Sequence, residues 1–128
     1  LGTDGASSNN NLDLFEEIKL TGILHKGISY DPTALPAWEV LKMATVGGAR
    51  VLGFSDLGMI KTGYLADVIL LDFQTPHFVP NHDTVANLVY TARGSDVVCT
   101  IVDGKIVYTK EEKIRFTADQ IDAETLFS

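Results

Sequence analysis

Hydrophobic residues recur with a helical period in the first half of the chain. Between residues 12 and 26, the positions that share one helical face are Leu14, Phe15, Ile18 and Gly22. Asn10 or Asn11 can cap the start of this segment, and Gly27 follows its last basic residue. The pattern therefore predicts a helix over residues 12–26.

Two further helices are predicted between residues 36 and 53. Pro36 is suited to the first position of a helix that runs through PAWEVLKMAT. Thr45 is suited to cap a short third helix, which Gly53 would end. The first half of the chain is therefore expected to be helical.

The hydrophobic period changes towards that of strands from about residue 57. GMIKTGYLADVILLD predicts a short strand, a Lys-Thr-Gly turn and a second strand from Ala66 to Leu71. Asp103 and Gly104 join VVCTIV to KIVY, and this pair is typical of a two-residue type I′ turn. The second half is therefore expected to contain an antiparallel hairpin.

Two other segments remain to be assigned. NHDTVANLVYTARG fits a strand through NLVYTA, and it also fits a helix through the apolar positions Val85, Leu88, Val89 and Ala92. Thr117 and Gln120 form a capping box, which predicts a terminal helix that ends at about Phe127.

The composition of the chain indicates which kinds of binding partner to expect. The chain has 128 residues, enough for one domain, and a formal net charge of −7. It contains no basic run, so we expect no nucleic-acid partner. No apolar stretch reaches the roughly 20 residues of a membrane helix, so we expect no membrane association. The single cysteine, Cys99, excludes an internal disulfide, suits a buried thiol and is compatible with a cytoplasmic location.

Asp4 is the strongest candidate for chemistry. LGTD reads as the end of a strand, and no nearby segment can pair with it, so we expect its partner to lie outside these residues. A carboxylate at the carboxyl end of such a strand can bind a divalent metal or accept a proton. The alternative is that Asp4 only starts a turn. The three histidines lack the spacing of metal ligands. From their positions in the sequence, we expect His25 at a helix end and His77 and His82 in a solvated loop.

Four segments of the sequence together resemble one protein family. The opening run resembles the metal-dependent amidohydrolase superfamily, in the branch of the 5-methylthioadenosine/S-adenosylhomocysteine deaminases and related chlorohydrolases. The matching residues are Gly2, Thr3, Asp4, Gly5, Ser8, Asn9, Asn10, Leu12 and Asp13. ATVGGARVLGF, GMIKTGYLADVILLD and VCTIVDGKIVY are also similar to segments of that family.

The resemblance implies an α/β plus β fold. We expect the C-terminal fragment of a (β/α)₈ TIM barrel, with its last strand and helices, followed by part of a small β-sandwich. Residues 1–56 would end the barrel, 57–116 would belong to the sandwich and 117–128 would form a C-terminal helix. A whole barrel needs about 250 residues. In this family NLVYTA would be a strand.

The resemblance also implies a function. In the full-length enzyme, zinc or another divalent metal such as iron would be bound partly by Asp4, which would also be catalytic and carry a proton from the attacking water to the leaving amine. The substrate would be a purine nucleoside such as 5-methylthioadenosine or S-adenosylhomocysteine. We expect the isolated 128-residue chain to bind no metal, to be inactive, and to associate as a homo-oligomer. The alternatives are a chlorohydrolase or other ring deaminase of this superfamily, and a non-catalytic β module that self-associates.

Overall fold

The computed structural model describes residues 1–110, in which helices precede a three-stranded antiparallel sheet. The helices are α1 (Leu14–Ser29), α2 (Ala37–Lys42), α3 (Gly48–Val51) and α4 (Thr84–Tyr90), and the strands are β1 (Val68–Leu71), β2 (Val97–Val102) and β3 (Lys105–Thr109). Single 3₁₀ turns lie at Pro76–Phe78 and Gly94–Asp96. The predicted C-terminal helix lies outside the described residues.

Helix α1 forms where its pattern predicts, although both ends differ from the prediction. Its N-cap is Asp13 rather than Asn10 or Asn11, because the Asp13 carboxylate accepts a hydrogen bond from the Phe15 N–H. The helix continues past Gly27 to Ser29, and Tyr30 ends it with a left-handed backbone conformation. The apolar period thus located the helix, and side-chain contacts determined where it begins and ends.

Helices α2 and α3 form one continuous rod, joined by the π-helical turn Met43–Gly47. Pro36 precedes the rod as its N-cap and is not its first residue. The prediction that Thr45 caps a separate helix is wrong, because its hydroxyl donates to the Leu41 carbonyl at 2.9 Å inside the rod. Such back-bonding satisfies the hydroxyl without breaking the helix.

The helical core lies where α1, α2 and α4 meet. Ile18, Val40 and Val89 are buried there, and partly buried apolar residues surround them. Gly22 lets α4 approach, because a Cβ at that position would lie 3.0 Å from the Tyr90 ring. The helical spacing that makes Gly22 and Ile18 part of one face of α1 is therefore confirmed.

The expectation that NLVYTA forms a strand is wrong, because Thr84–Tyr90 is helix α4. The Asp83 carboxylate caps it by accepting from the backbone N–H groups of Val85 and Ala86 at 2.9 and 3.1 Å. Val89 then points into the helical core and is fully buried. The cap and the helical apolar spacing together favour the helix over the strand.

The sheet has the order β1-β2-β3, with both pairs antiparallel. The predicted hairpin is confirmed: Asp103 and Gly104 have φ values of 51° and 71°, as a type I′ turn requires. Cys99 is buried in β2, as predicted. The later strand of GMIKTGYLADVILLD is confirmed from Val68 onward.

Two predicted strands are absent from the described part of the chain. The segment before the Lys-Thr-Gly turn is irregular, although the turn itself forms, with Tyr64 N–H donating to the Lys61 carbonyl at 3.0 Å. Residues 1–4 are also not a strand. A strand needs a neighbour for its backbone groups, and residues 5–110 place none beside this segment.

Gly58 allows the segment after α3 to fold back against the helical rod. Its φ is +88°, and a Cβ there would lie 2.8 Å from backbone atoms of Thr45 and Val46. Gly63 has a similar φ of +86° but faces open space. A substitution at Gly63 would therefore meet only an unfavourable backbone conformation, whereas one at Gly58 would also meet crowding by the rod.

We predict that Gly58→Ala lowers the free energy of unfolding by about 2–4 kcal/mol, because strain and overpacking add. Gly63→Ala should cost only about 1 kcal/mol, since it introduces the strain alone. Chemical denaturation of the two variants measures the difference. Equal losses would show that the close approach of Gly58 to the rod does not exist in solution.

Candidate active-site loop

Asp4 lies on an exposed loop that precedes α1. Its backbone has a φ of 60°, in the left-handed region, which aspartate tolerates better than most residues. Its Oδ1 accepts a hydrogen bond from the Gly5 N–H at 2.7 Å. Within residues 1–110 its other carboxylate oxygen, Oδ2, accepts no hydrogen bond and is free to bind a ligand.

A series of short-range hydrogen bonds shapes the loop between Asp4 and α1. The Gly5 carbonyl accepts from the N–H groups of Ser8 and Asn9 at 2.9 and 3.0 Å. The side-chain carbonyl of Asn9 then accepts from the Asn11 N–H, and that of Asn11 accepts from the Asp13 N–H, both at 3.0 Å. These are Asx turns, in which an asparagine side chain replaces a backbone acceptor.

Asp13 connects this loop to a distant part of the chain. Its Oδ1 caps α1, and its Oδ2 accepts from the Gly94 N–H at 2.8 Å. A Cβ at position 94 would lie 3.2 Å from both carboxylate oxygens, so glycine suits this contact. Gly94 opens the 3₁₀ turn before β2, and Asp13 therefore joins the helical layer to the sheet.

A second carboxylate in this region is buried. Asp96 is 4% exposed, and its Oδ2 lies 2.9 Å from both His77 Nε2 and the Arg93 backbone nitrogen, whose N–H it accepts. The His77 ring also packs against Phe78 at a centroid distance of 4.6 Å. His77 is exposed, as expected of a histidine in a solvated loop, but its ring also pairs with the buried Asp96, because a buried carboxylate needs a polar partner.

His25 and His82 are also exposed, as expected for His82 in a loop. His25 lies near the end of α1, but no hydrogen bond from its ring caps that helix within the described residues. Glu17 is half-buried, and its carboxylate accepts from the Asn9 side chain at 3.2 Å. Asn9, Asp13 and Asp96 are therefore the polar residues whose structural roles sequence reasoning missed.

The described residues supply only part of a metal site. An aspartate oxygen is a suitable zinc ligand, and Asp4 Oδ2 is available to act as one. In residues 1–110, however, no three His, Cys, Asp or Glu side chains are grouped so that they could hold a metal ion. The remaining ligands of such a site would have to come from other residues.

Two open grooves on this part of the chain do not contain Asp4. One, of about 600 Å³, runs along α1 and is closed on its other side by residues 90–93. The other, of about 360 Å³, lies between the end of α3 and residues 53–64. Asp4 thus has a free carboxylate oxygen but lines neither of these concave surfaces.

None of the helices in residues 1–110 combines the length and the apolar character that crossing a bilayer requires.

The sequence matches the amidohydrolase family over residues 1–107. The chain therefore belongs to this family, which confirms the resemblance seen in the GTDG and SNN residues of the opening run.

Curated proteins that are similar to this chain include nucleoside deaminases. The chain is 50% identical over 124 residues to a 5-methylthioadenosine/S-adenosylhomocysteine deaminase from Pelotomaculum thermopropionicum, covering 97% of this chain and 29% of that protein. It is 59% identical over 107 residues to a 5′-deoxyadenosine deaminase from Methanosarcina mazei, covering 84% and 24%. The chain thus spans 24–29% of the length of these relatives.

Solved structures show the same relationship. An adenosine deaminase from Xanthomonas campestris with bound zinc superposes with a TM-score of 0.83 and 38% identity, over 98% of this chain and 28% of that one. An atrazine chlorohydrolase from Arthrobacter aurescens, complexed with zinc, superposes with a TM-score of 0.74 and 28% identity, over 95% and 27%. The described fold is therefore one that occurs within zinc-containing enzymes.

We predict that Asp13→Asn lowers the free energy of unfolding by about 1–3 kcal/mol, because the amide cannot accept from both Phe15 and Gly94. Asp83→Asn is the matched control. Asp83 also caps a helix, but a single oxygen accepts both of its hydrogen bonds. Chemical denaturation compares the two variants, and an Asp13→Asn loss no larger than that of Asp83→Asn would contradict the bridging role.

Proposed function

We propose that this chain is the C-terminal part of a metal-dependent aminohydrolase that deaminates a purine nucleoside. The observation that carries the proposal is the 50–59% identity to deaminases of 5-methylthioadenosine, S-adenosylhomocysteine and 5′-deoxyadenosine. We further propose that residues 1–56 end the barrel, that 57–116 belong to a β-sandwich, and that 117–128 form a terminal helix. The cytoplasmic location and the homo-oligomeric state also remain predictions.

Asp4 is the residue of this chain that we propose for the chemistry. The relatives whose structures contain zinc support a metal in the complete protein, and the metal, when bound, would lower the pKa of the attacking water. Asp4 would bind that metal through its carboxylate. It would also accept the proton of the water that attacks the amine-bearing ring carbon, and pass it to the departing ammonia.

Exposed apolar side chains support the proposal that other residues cover this segment. Along α1, residues Ile23, Leu24 and Ile28 are between 46% and 77% exposed, and Val51 and Ile60 exceed 80%. Large exposed apolar side chains in this number are typical of a surface that another part of a protein covers. The relatives are three to four times longer than the part that matches, so their remaining residues are the natural covering.

A chlorohydrolase is the second candidate. The chain superposes on the atrazine chlorohydrolase over nearly its whole length, and Asp4 lines neither of the two grooves described above. The higher identity to the deaminases favours deamination. Assaying the full-length polypeptide with 5-methylthioadenosine, 5′-deoxyadenosine and a chlorinated triazine discriminates between these activities.

In the full-length polypeptide, we predict that Asp4→Asn lowers kcat for nucleoside deamination by about 10²- to 10⁴-fold, because an amide cannot accept the proton. Asp56→Asn is the control, since Asp56 is exposed and its carboxylate makes no hydrogen bond within the described residues. Ammonia release measures both. Turnover by Asp4→Asn at the wild-type rate would refute the catalytic role.

We predict that the isolated 128-residue chain neither deaminates nucleosides nor stays monomeric at high concentration. It lacks the other metal ligands in its described part, and its apolar surface favours association. Light scattering and an ammonia assay test the two expectations separately. A monodisperse monomer would contradict the proposal that other residues normally cover this surface.

A further inference from the structure

We propose that Asn9 is a positioning residue that holds Asp4 in its metal-binding orientation. This inference rests on the proposed function, in which Asp4 is a metal ligand. The Asn9 side-chain amide donates to the Thr3 carbonyl at 2.9 Å and to the Glu17 carboxylate at 3.2 Å. One side chain therefore connects the residue just before Asp4 to the first turn of α1.

The hydrogen bond to the Thr3 carbonyl fixes the backbone next to Asp4. It belongs to the peptide group on the N-terminal side of Asp4, and the peptide group on the other side is held by Asp4 itself, whose Oδ1 accepts from the Gly5 N–H at 2.7 Å. Both peptide groups that flank Asp4 are thus fixed while its φ is 60°. Rotation of either peptide group would redirect Oδ2, the oxygen that is free to bind a metal.

The surroundings of Asn9 suit this role. Asn9 and Thr3 are the partly buried residues of an otherwise exposed stretch from 1 to 10. Glu17 is also half-buried, and within the described residues its carboxylate has no cationic partner. A donor is therefore needed at position 9, and an aspartate of the same shape would place an acceptor against both the Thr3 carbonyl and Glu17.

A simpler role would be that Asn9 only stabilises the loop, since its side-chain carbonyl also accepts from the Asn11 N–H. The double variant Asn9→Asp with Glu17→Gln separates the two roles. The glutamine amide can donate to the new carboxylate and restore the link between residues 9 and 17. It cannot restore the link to the Thr3 carbonyl, which can only accept a hydrogen bond.

The test compares Asn9→Asp, the double variant and Asn10→Asp in the full-length polypeptide. Asn10 is the matched control, because it is the next residue and its side chain makes no hydrogen bond within residues 1–110. Zinc affinity is measured by chelator competition, together with kcat and KM for the nucleoside. The amide resonance of Gly5, which reports the hydrogen bond to Asp4, is followed by NMR with ¹⁵N-glycine labelling.

We expect Asn9→Asp to weaken zinc binding by about 10- to 100-fold, as for other residues that orient a ligand. It should lower kcat more than it changes KM, and it should shift the Gly5 amide. Asn10→Asp should leave all of these unchanged. Asn9→Asp should also lower the free energy of unfolding, measured by chemical denaturation. The double variant should regain part of that stability through the restored link to residue 17, and it should retain the weak zinc binding of Asn9→Asp.

Two results would overturn the proposal: zinc affinity that is the same in Asn9→Asp and Asn10→Asp, or recovery of zinc affinity together with stability in the double variant. Failure of the proposed function looks different. In that case the wild-type polypeptide would lack deaminase activity, or Asp4→Asn would leave its zinc affinity unchanged, while Asn9→Asp would still shift the Gly5 amide.

Discussion

The position of the N-terminal loop depends on the Asp13 carboxylate. One of its oxygens caps α1 through Phe15, and the other accepts from Gly94, which is 81 residues further along the chain. Since Gly94 begins the turn that leads into β2, a single side chain joins the first helix to the sheet. Asn9 and Asn11 then tie the loop that carries Asp4 to this helix. The residue that caps α1 thus also helps to position the loop that carries Asp4.

Two features of the described residues concern their surface and their chemistry. The apolar residues on α1 and beyond α3 lack a covering layer, and the one candidate metal ligand lacks companions within residues 1–110. Both shortages have the same explanation if the chain is 24–29% of a larger hydrolase, as the lengths of its relatives indicate. A self-associating β module would also leave apolar surface uncovered, but the match of residues 1–107 to the amidohydrolase family favours the hydrolase.

The sequence correctly predicted the elements that depend on residues close together in the chain. The apolar period located α1, and Asp103-Gly104 located the hairpin, because the φ values of a type I′ turn suit few other pairs. The prediction for NLVYTA was wrong because a family expectation replaced the local pattern, whereas the Asp83 cap and the burial of Val89 against Ile18 and Val40 decide for a helix. Residues 1–4 form no strand within the described residues. Since the predicted partner strand lies outside these residues, that strand stays a prediction.

The amino-acid sequence by itself determined the family, the identity of Asp4 as the candidate ligand, and most helices and the hairpin, since each depends on neighbouring residues or on a recognisable motif. Only the tertiary structure decided that Asp13 binds Gly94, that Asn9 holds the Thr3 carbonyl, and that a buried Asp96 pairs with His77. These contacts connect polar groups through particular backbone atoms brought together by folding. No hydrophobic period or residue spacing encodes such contacts, because hydrogen bonds depend on distance and direction in space.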